Sequence, residues 1–153
     1  MIRPIRHEEL AEVEAIYRAC HPTWPARPAE WYIGFPTLIC RAKGRIVGFT
    51  SMSLSWPPTE LQTTKGYVLW GHDVCVHPEA QGRGVGWRLC EARLAFGRTL
   101  GAHFFLGMTW PGNKPMIRIF ERQGCIRRPE HIAEAYPNNE PGHRLGMLYT
   151  RGL

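Results

Sequence analysis

A β-type segment that runs into a glycine-rich turn and then into a helix constrains the fold of this chain more than any other feature. Residues 67–76, YVLWGHDVCV, are rich in residue types that favour strands. The next segment, VHPEAQGRGVGW at 76–87, contains three glycines at alternate positions. Residues 85–100 then carry apolar side chains at the spacing of one helix face. A strand followed directly by a helix predicts a mixed α/β domain.

The predicted strand 67–76 presents two sets of side chains, because successive residues of a strand point to opposite faces. His72 and Asp73 are consecutive titratable residues, and strict alternation puts them on opposite faces. A β-bulge at this point would instead bring Asp73 to the face of His72. One face contains Val68, Trp70, His72, Val74 and Val76, and the other contains Tyr67, Leu69, Gly71, Asp73 and Cys75.

The remaining segments complete the order of helices and strands. An amphipathic helix at 7–20 ends before Pro22, and an aromatic-rich segment with a short helix at 28–33 follows it. Two β-rich runs joined at Lys43-Gly44 predict a hairpin. After the N-terminal helix the predicted order is β-β-β-α-β-α-β, with strands at 37–42, 45–56, 67–76, 103–110 and 143–150, helices at 85–100 and 114–123, and the proline-rich stretch 129–142 as a connection.

Length and composition predict one globular domain over residues 1–153. Of these 153 residues 44% are hydrophobic and 21% are charged, an ordinary globular mixture. No apolar run approaches the roughly 20 residues that span a bilayer, and the N-terminus does not resemble a secretory signal. The histidines at 103, 131 and 143 lack metal-ligand spacing, so no metal site is predicted. The cysteines are widely spaced without a CxxC pair, which favours free thiols and a cytoplasmic location: Cys20, Cys40, Cys75, Cys90 and Cys125.

The balance of charge favours an anionic partner. Lys+Arg minus Asp+Glu is 19 − 13 = +6, which disfavours polyamines and very basic peptides as substrates. The basic residues are scattered, and the densest cluster is Arg127-Arg128. A nucleic-acid partner is therefore not favoured, whereas a polyanionic cofactor would account for part of the excess.

The glycine-rich turn has the features of an anion site. It precedes a helix N-terminus, where N–H groups are unpaired and the dipole is positive. It lacks the Lys-Ser/Thr of a Walker loop, and its G-x-G-x-G spacing differs from the G-x-G-x-x-G of dinucleotide folds. A turn without a ligand is the alternative interpretation.

Two blocks of sequence resemble the GNAT (Gcn5-related N-acetyltransferase) superfamily. Residues 81–86, QGRGVG, match Gln/Arg-x-x-Gly-x-Gly/Ala, and Val76-His77-Pro78 matches the Val-x-Pro that often precedes it. Residues 113–125 match the second block, Asn-x6-Tyr-Glu-Lys-x-Gly-Phe, through Asn113 and Phe120-Glu121-Arg122-x-Gly124-Cys125. The resemblance covers most of the chain and implies a mostly antiparallel central sheet flanked by helices. It also implies a splayed strand pair, between the strand ending at Val76 and the strand at 103–110.

The resemblance implies acetyl-CoA as cofactor. The strand end at Val74, Cys75 and Val76 would pair with the pantetheine arm through its backbone, and Asn113 would contact the arm from the other side. The residues implied around the pyrophosphate are Gln81, Gly82, Arg83, Gly84, Val85, Gly86 and Trp87.

Acyl transfer to an amine needs a base, oxyanion donors and an acid for the departing thiolate. A common family glutamate aligns with Trp70, and His72 lies two residues further on the same face. His72 is the first candidate base, with a histidine bonded within the sheet as the alternative. Asp73 is a structural partner or, with a bulge, the base. The backbone N–H near Val76 is the implied oxyanion donor, while the family's acid, a tyrosine, is replaced by Phe120.

Four tryptophans are candidates for an acceptor pocket or for ordinary packing. Trp24 and Trp31 lie in the segment that walls the acceptor pocket in the family, Trp56 precedes two prolines, and Trp70 replaces the glutamate.

The predicted function is an acetyl-CoA-dependent N-acyltransferase that acetylates an amine of a small molecule or an exposed peptide. A non-catalytic CoA-binding module and a nucleic-acid-modifying acyltransferase are the alternatives. Dimers are common in the family, so a homodimer is a candidate assembly.

Overall fold

The computed structural model describes residues 1–25, 27–55, 67–133 and 146–153, without the side chains of residues 29, 30, 129–133 and 146. Its helices are α1 (Leu10–Cys20), α2 (Ala29–Gly34), α3 (Val85–Thr99) and α4 (Lys114–Arg122). Short 3-10 helices lie at His7–Glu9 and Pro78–Ala80. The strands are β1 (Ile2–Pro4), β2 (Thr37–Ala42), β3 (Arg45–Ser55), β4 (Tyr67–Val76), β5 (Ala102–Thr109), β6 (Ile126–Ala133) and β7 (Gly146–Gly152).

The predicted elements are confirmed, but the predicted order was incomplete by two strands. β1 has only three residues, too few for a periodic pattern to show. β6 covers Ile126–Ala133, so the prediction of a connection over residues 129–142 was wrong for its first five residues. This strand contains Arg127, Arg128 and Pro129 and comes last in the strand order. An edge strand tolerates proline and charge because one of its sides needs no ladder partner.

The strands form a mixed sheet in the order β1-β2-β3-β4-β5-β7-β6. The pairs β1–β2, β2–β3, β5–β7 and β6–β7 are antiparallel, whereas β4 and β5 are parallel. The predicted mixed, mostly antiparallel sheet flanked by helices is therefore confirmed. The parallel register runs from Tyr67–Ala102 to Gly71–Gly107, and β4 continues beyond this last pair to Val76.

The chain divides into two compact units, of which the first comprises Met1–Ser53 and His72–Phe96. Its sheet segment is covered on both faces. On one face the apolar side of α1 packs with Tyr32 of α2, Phe49 of β3 and Cys75 of β4. On the other face Val85 and Leu89 of α3 pack with neighbouring strand residues. Two consecutive residues with positive φ, Lys43 and Gly44, close the β2–β3 hairpin as predicted.

The second unit comprises Leu54–Gly71 and Gly97–Leu153. Val68, Leu106 and Leu148 form one cluster of its core, with Trp70 and Phe104 against it. Phe120 of α4 is buried and stacks on Tyr149 of β7 at a centroid distance of 4.8 Å.

Gly107 of β5 has no room for a side chain against the aromatic core of the second unit. A Cβ there would lie 2.7 Å from Cζ of Phe120 and 2.8 Å from Cζ of Phe105. We expect Gly107→Ala to destabilise the protein by about 1–3 kcal/mol, the usual effect of overpacking a core. Chemical denaturation measures this change.

Gly152→Ala is the matched control, because a Cβ at Gly152 meets no described atom within 4 Å. A Gly107→Ala variant as stable as Gly152→Ala would contradict the packing argument.

Candidate active site

The turn after β4 uses two glycines for their backbone conformation. Gly82 and Gly84 have φ values of +72° and +73°, a region that other residues rarely adopt. A Cβ at either position would meet nothing within 4 Å in the described part of the chain. Glycine is therefore required here by the backbone angles and not by neighbouring atoms.

The turn delivers the chain into α3 with the properties of an anion site. Arg88 N donates to Gly84 O over 3.1 Å at the start of the helix. The N–H groups in the first turn of a helix have no carbonyl acceptor within the helix. In α3 this first turn contains Val85 and Gly86. The first turn of α3, which the structure describes in full, contains no acidic residue. With Arg83 and Arg88 exposed beside it, this N-terminus suits a diphosphate.

The end of β4 is tied to the turn through one carbonyl group. Val76 O accepts hydrogen bonds from Gln81 Nε2 at 3.0 Å and from Cys20 Sγ at 3.3 Å. His77 N donates to Val47 O at 2.9 Å and so holds the turn to β3. The Gln81 side chain thus positions the turn, and its contact with a cofactor remains a prediction.

The side chains of the strand end are used for packing. Val74 and Val76 pack on the face of α3. Cys75 is buried on the opposite face with Sγ 3.6 Å from His21 Nε2, and its hydrogen bond with Cys20, together with burial, raises the pKa of its thiol well above the ordinary value. Because these side chains are packed against the helices, it is the backbone of Val74–Val76 that fits the implied pairing with pantetheine.

His72 is a partly exposed histidine beside two aromatic rings. Its Nε2 lies 2.8 Å from Ser53 Oγ, and its ring contacts those of Trp31 and Phe35 at centroid distances of 5.6 and 5.1 Å. Partial burial of the imidazole, and then the positive charges of Arg27 and Arg93, lower the pKa of His72 to about 4. At neutral pH the imidazole is therefore unprotonated and able to accept a proton.

Asp73 is a buried carboxylate beside this histidine. Its Oδ2 lies 3.4 Å from Ser51 Oγ, and its backbone N–H donates to the same hydroxyl at 3.2 Å. Nε of Arg27 lies 3.4 Å from Oδ2. Burial raises the pKa of Asp73, and the positive charge of Arg27 opposes this shift.

The prediction that His72 and Asp73 occupy opposite faces was wrong. Ser51 and Ser53 are two residues apart on β3 and share a face, yet one contacts Asp73 and the other contacts His72. Alternation is therefore interrupted at this point of the strand pair, as a bulge would do. Both titratable groups reach the side of the sheet that carries α2.

The tryptophans predicted for the acceptor pocket have different surroundings. Trp31 carries Arg27 on its ring at 4.2 Å and touches His72, so it belongs to the candidate site. Trp24 stacks on His21 at 4.2 Å. Trp70 packs in the Val68–Leu106 cluster of the second unit. Trp56 lies outside the described residues.

Asn113 and Phe120 begin and anchor α4 in the second unit. Asn113 Oδ1 accepts from Met116 N at 3.2 Å, which caps the helix. Phe120 is 2% exposed and has no ionisable proton. Asn113 therefore has a structural role in capping, and its contact with the cofactor remains a prediction.

Four functional neighbours were missed by sequence reasoning: Arg27, Phe35, Ser51 and Ser53. The two serines give a weak signal, since SMS places polar residues at alternate positions of an apolar strand. Among the described residues no three His, Cys, Asp or Glu side chains could hold a metal ion. No helix in the described ranges is both long and apolar enough to cross a membrane.

Comparison with known proteins identifies the family. Residues 7–125 match the model of the acetyltransferase (GNAT) family. The chain therefore belongs to the GNAT family of acetyltransferases, which use acetyl-CoA. No curated protein matches the sequence.

Solved structures agree in fold over the full length. Ribosomal-protein-alanine N-acetyltransferase from Brucella melitensis is 21% identical, with a TM-score of 0.78 over 100% of this chain and 99% of that one. The yncA acetyltransferase from Salmonella typhimurium, solved with its cofactor acetyl-CoA, is 21% identical, with a TM-score of 0.78 over 100% and 93%. NAA60 from Arabidopsis thaliana, solved with a bisubstrate analogue, is 16% identical, with a TM-score of 0.81 over 99% and 97%.

Proposed function

We propose that this protein transfers an acetyl group from acetyl-CoA to an amine of a small molecule or an exposed peptide, with His72 as the general base. The observation that carries the proposal is the placement of an accessible, neutral imidazole on the strand that leads into an anion-binding turn. Amine acetylation needs both features, since the acceptor must lose a proton and the donor carries a diphosphate.

The residues fit the cofactor at the turn. The glycine backbone, the first-turn N–H groups of α3 and the exposed Arg83 and Arg88 form a donor set for diphosphate oxygens. Bound acetyl-CoA would supply an acyl group activated as a thioester. Val74–Val76 would hold the arm by backbone hydrogen bonds, and the N–H of Val76 would face the developing oxyanion.

In this proposal His72 carries out the proton transfer. His72 would take the ammonium proton of the acceptor directly or through a water molecule, while Ser53 holds Nε2 and so favours one orientation of the ring. Asp73 and Arg27 would set the electrostatic environment of this step. Phe120 has no ionisable proton, so it cannot act as the acid that a tyrosine provides at this position in the family pattern.

Turnover of acetyl-CoA over a panel of amines tests the function. Free thiol release is measured for wild type with amino acids, neutral amines and peptide N-termini, and a thermal-shift assay with CoA and acetyl-CoA reports binding. We expect stabilisation by both nucleotides and thiol release with at least one class of amine. Stabilisation without release on any amine would exclude catalysis.

A non-catalytic CoA-binding module is the second candidate, and the buried Phe120 at the tyrosine position favours it. A His72→Ala variant separates the two candidates. A pure binder has no amine-dependent rate above background for this substitution to remove.

A further inference from the structure

Two guanidinium groups act on the His72–Asp73 pair. Arg27 and Arg93 are the charged groups that lower the pKa of His72, and both oppose the raised pKa of Asp73. Arg93 is 1% exposed and donates to Thr50 Oγ1 at 3.3 Å, so its charge is fixed inside the first unit. With Asp73 ionised and His72 neutral, these four groups sum to one positive charge. The candidate site thus has an electrostatic preference for an anion.

Arg27 is the accessible member of this group. Its side chain is 31% exposed, and its guanidinium lies over the rings of Trp31 and Tyr17, at 4.2 and 5.4 Å from their centroids. These rings orient the guanidinium plane, and the Tyr17 side chain also hydrogen-bonds with Arg27.

The pairing of Arg27 with Asp73 is loose. Nη2 to Oδ1 and Nε to Oδ2 are both 3.4 Å, whereas charge-assisted bonds are usually about 2.7–2.9 Å. In the same molecule Arg18 meets Glu14 at 2.6 Å on the open surface. A guanidinium has five N–H donors, so Arg27 retains capacity for a second anionic partner beside the base.

The rings around the base suit an apolar group on the same ligand. Trp31 contacts both Arg27 and His72. The guanidinium of Arg27 lies over its ring, and the His72 ring meets it in a T-shaped contact. Phe35 contacts both Trp31 and His72, at 4.9 and 5.1 Å.

We propose that Arg27 binds a carboxylate of the acceptor, so that the acceptor is an amino acid and not an uncharged amine. This inference rests on the proposed function for the reacting amine, which would lie at His72. The carboxylate would lie at Arg27 and the apolar side chain at Trp31 and Phe35. An α-amino acid carries its amine and carboxylate on one carbon, which fits two groups that contact the same tryptophan.

Kinetics with matched acceptors test the inference. L-Phenylalanine, L-leucine and L-methionine are each compared with their amides and with their decarboxylated amines, on wild type, Arg27→Gln and Arg27→Lys. Wild type should prefer the amino acids in kcat/KM by about 10- to 100-fold, the contribution of charged hydrogen bonds. Arg27→Gln should abolish this preference and leave the KM for acetyl-CoA unchanged, and Arg27→Lys should retain part of it. Equal use of acids and amides by wild type, or an equal rise of KM for both in Arg27→Gln, would overturn the inference.

Arg18→Gln is the control for loss of a positive charge, since Arg18 is exposed on α1 and paired with Glu14. It should keep the wild-type preference. Thermal unfolding shows that each variant is folded, and Arg27→Lys keeps the charge beside Asp73 if Arg27→Gln unfolds.

A binding assay separates this inference from the proposed function. 3-Phenylpropionate and 3-phenylpropionamide lack the amine, so ligand-observed NMR in the presence of CoA reports the carboxylate site alone. Binding of the acid but not of the amide, weakened by Arg27→Gln, supports the inference even if no amine is acetylated. Acetylation of neutral amines without binding of the acid overturns the inference and leaves the function standing, and absence of both overturns both.

Discussion

Replacing Gly82 and Gly84 together with valine should raise the Kd for acetyl-CoA by about 30- to 1,000-fold. Both glycines have φ near +70° in open space, and a residue with a Cβ adopts this region at a cost of about 1–2 kcal/mol each. The free turn of the variant would relax to negative φ and misdirect its N–H groups. Binding would then have to restore about 2–4 kcal/mol of strain, which gives the stated range.

Isothermal titration calorimetry with acetyl-CoA measures this effect, and Gly44→Val is its control. Gly44 closes the β2–β3 hairpin with φ +79°, and a Cβ there also meets no described atom within 4 Å. The control should lose about 1–2 kcal/mol of stability, the cost of one such residue, and keep the wild-type Kd. A folded double variant with unchanged Kd would show that the turn does not bind the diphosphate.

Local signals made the turns and helix ends predictable from sequence. Gly44, Gly82 and Gly84 have positive φ, and glycine identifies such positions directly. Asn113 and Gly124 mark the two ends of α4 as predicted. β6 lacks such a signal, because an edge strand needs no apolar alternation and its charged, proline-containing sequence resembles a connection.

The candidate site was predictable for His72 and Asp73 of β4 and for Trp31 of α2, but not for the polar residues around them. His72 and Asp73 were found from residue type and position, but their surroundings come from Arg27, Ser51 and Ser53, which are far away along the chain. Strict alternation misplaced His72, which contacts Trp31 and Phe35 and does not lie with Val74 and Val76 on the α3 face. A local irregularity of the strand pair moves a side chain to the other face without changing the composition. Long-range pairing of polar side chains depends on the folded sheet and leaves no period in the sequence.

Replacing His72 with alanine should lower kcat by about 10²- to 10⁴-fold, the usual contribution of a general base. The KM for acetyl-CoA should stay close to that of wild type, since the anion site is a separate turn of the chain. Stopped assays of thiol release with saturating acetyl-CoA measure both constants. His103→Ala, an exposed histidine on β5, is the control and should retain wild-type kcat.

The pH dependence follows from the lowered pKa of His72. A base must be unprotonated, and a pKa of about 4 keeps this imidazole neutral from about pH 5 upward. The activity of wild type should therefore be insensitive to His72 protonation between pH 5 and 7 and fall only as the pH approaches 4. A fall in activity centred near pH 6.5, the ordinary range of histidine, would contradict the described environment of His72.

A fall in activity near pH 4, the acid limb of the pH profile, does not by itself assign the base, because an ordinary aspartate also titrates near pH 4 and burial raises the pKa of Asp73 from there. The variants decide between the two groups. If His72 is the base, His72→Ala loses the limb together with the rate, and added imidazole restores part of the rate through the space that the exposed ring vacates. Asp73→Asn would then keep a limb and lose less activity, since it alters only the charge beside the base. If Asp73→Asn removes both rate and limb while His72→Ala keeps them, Asp73 is the base and the proposed role of His72 is wrong.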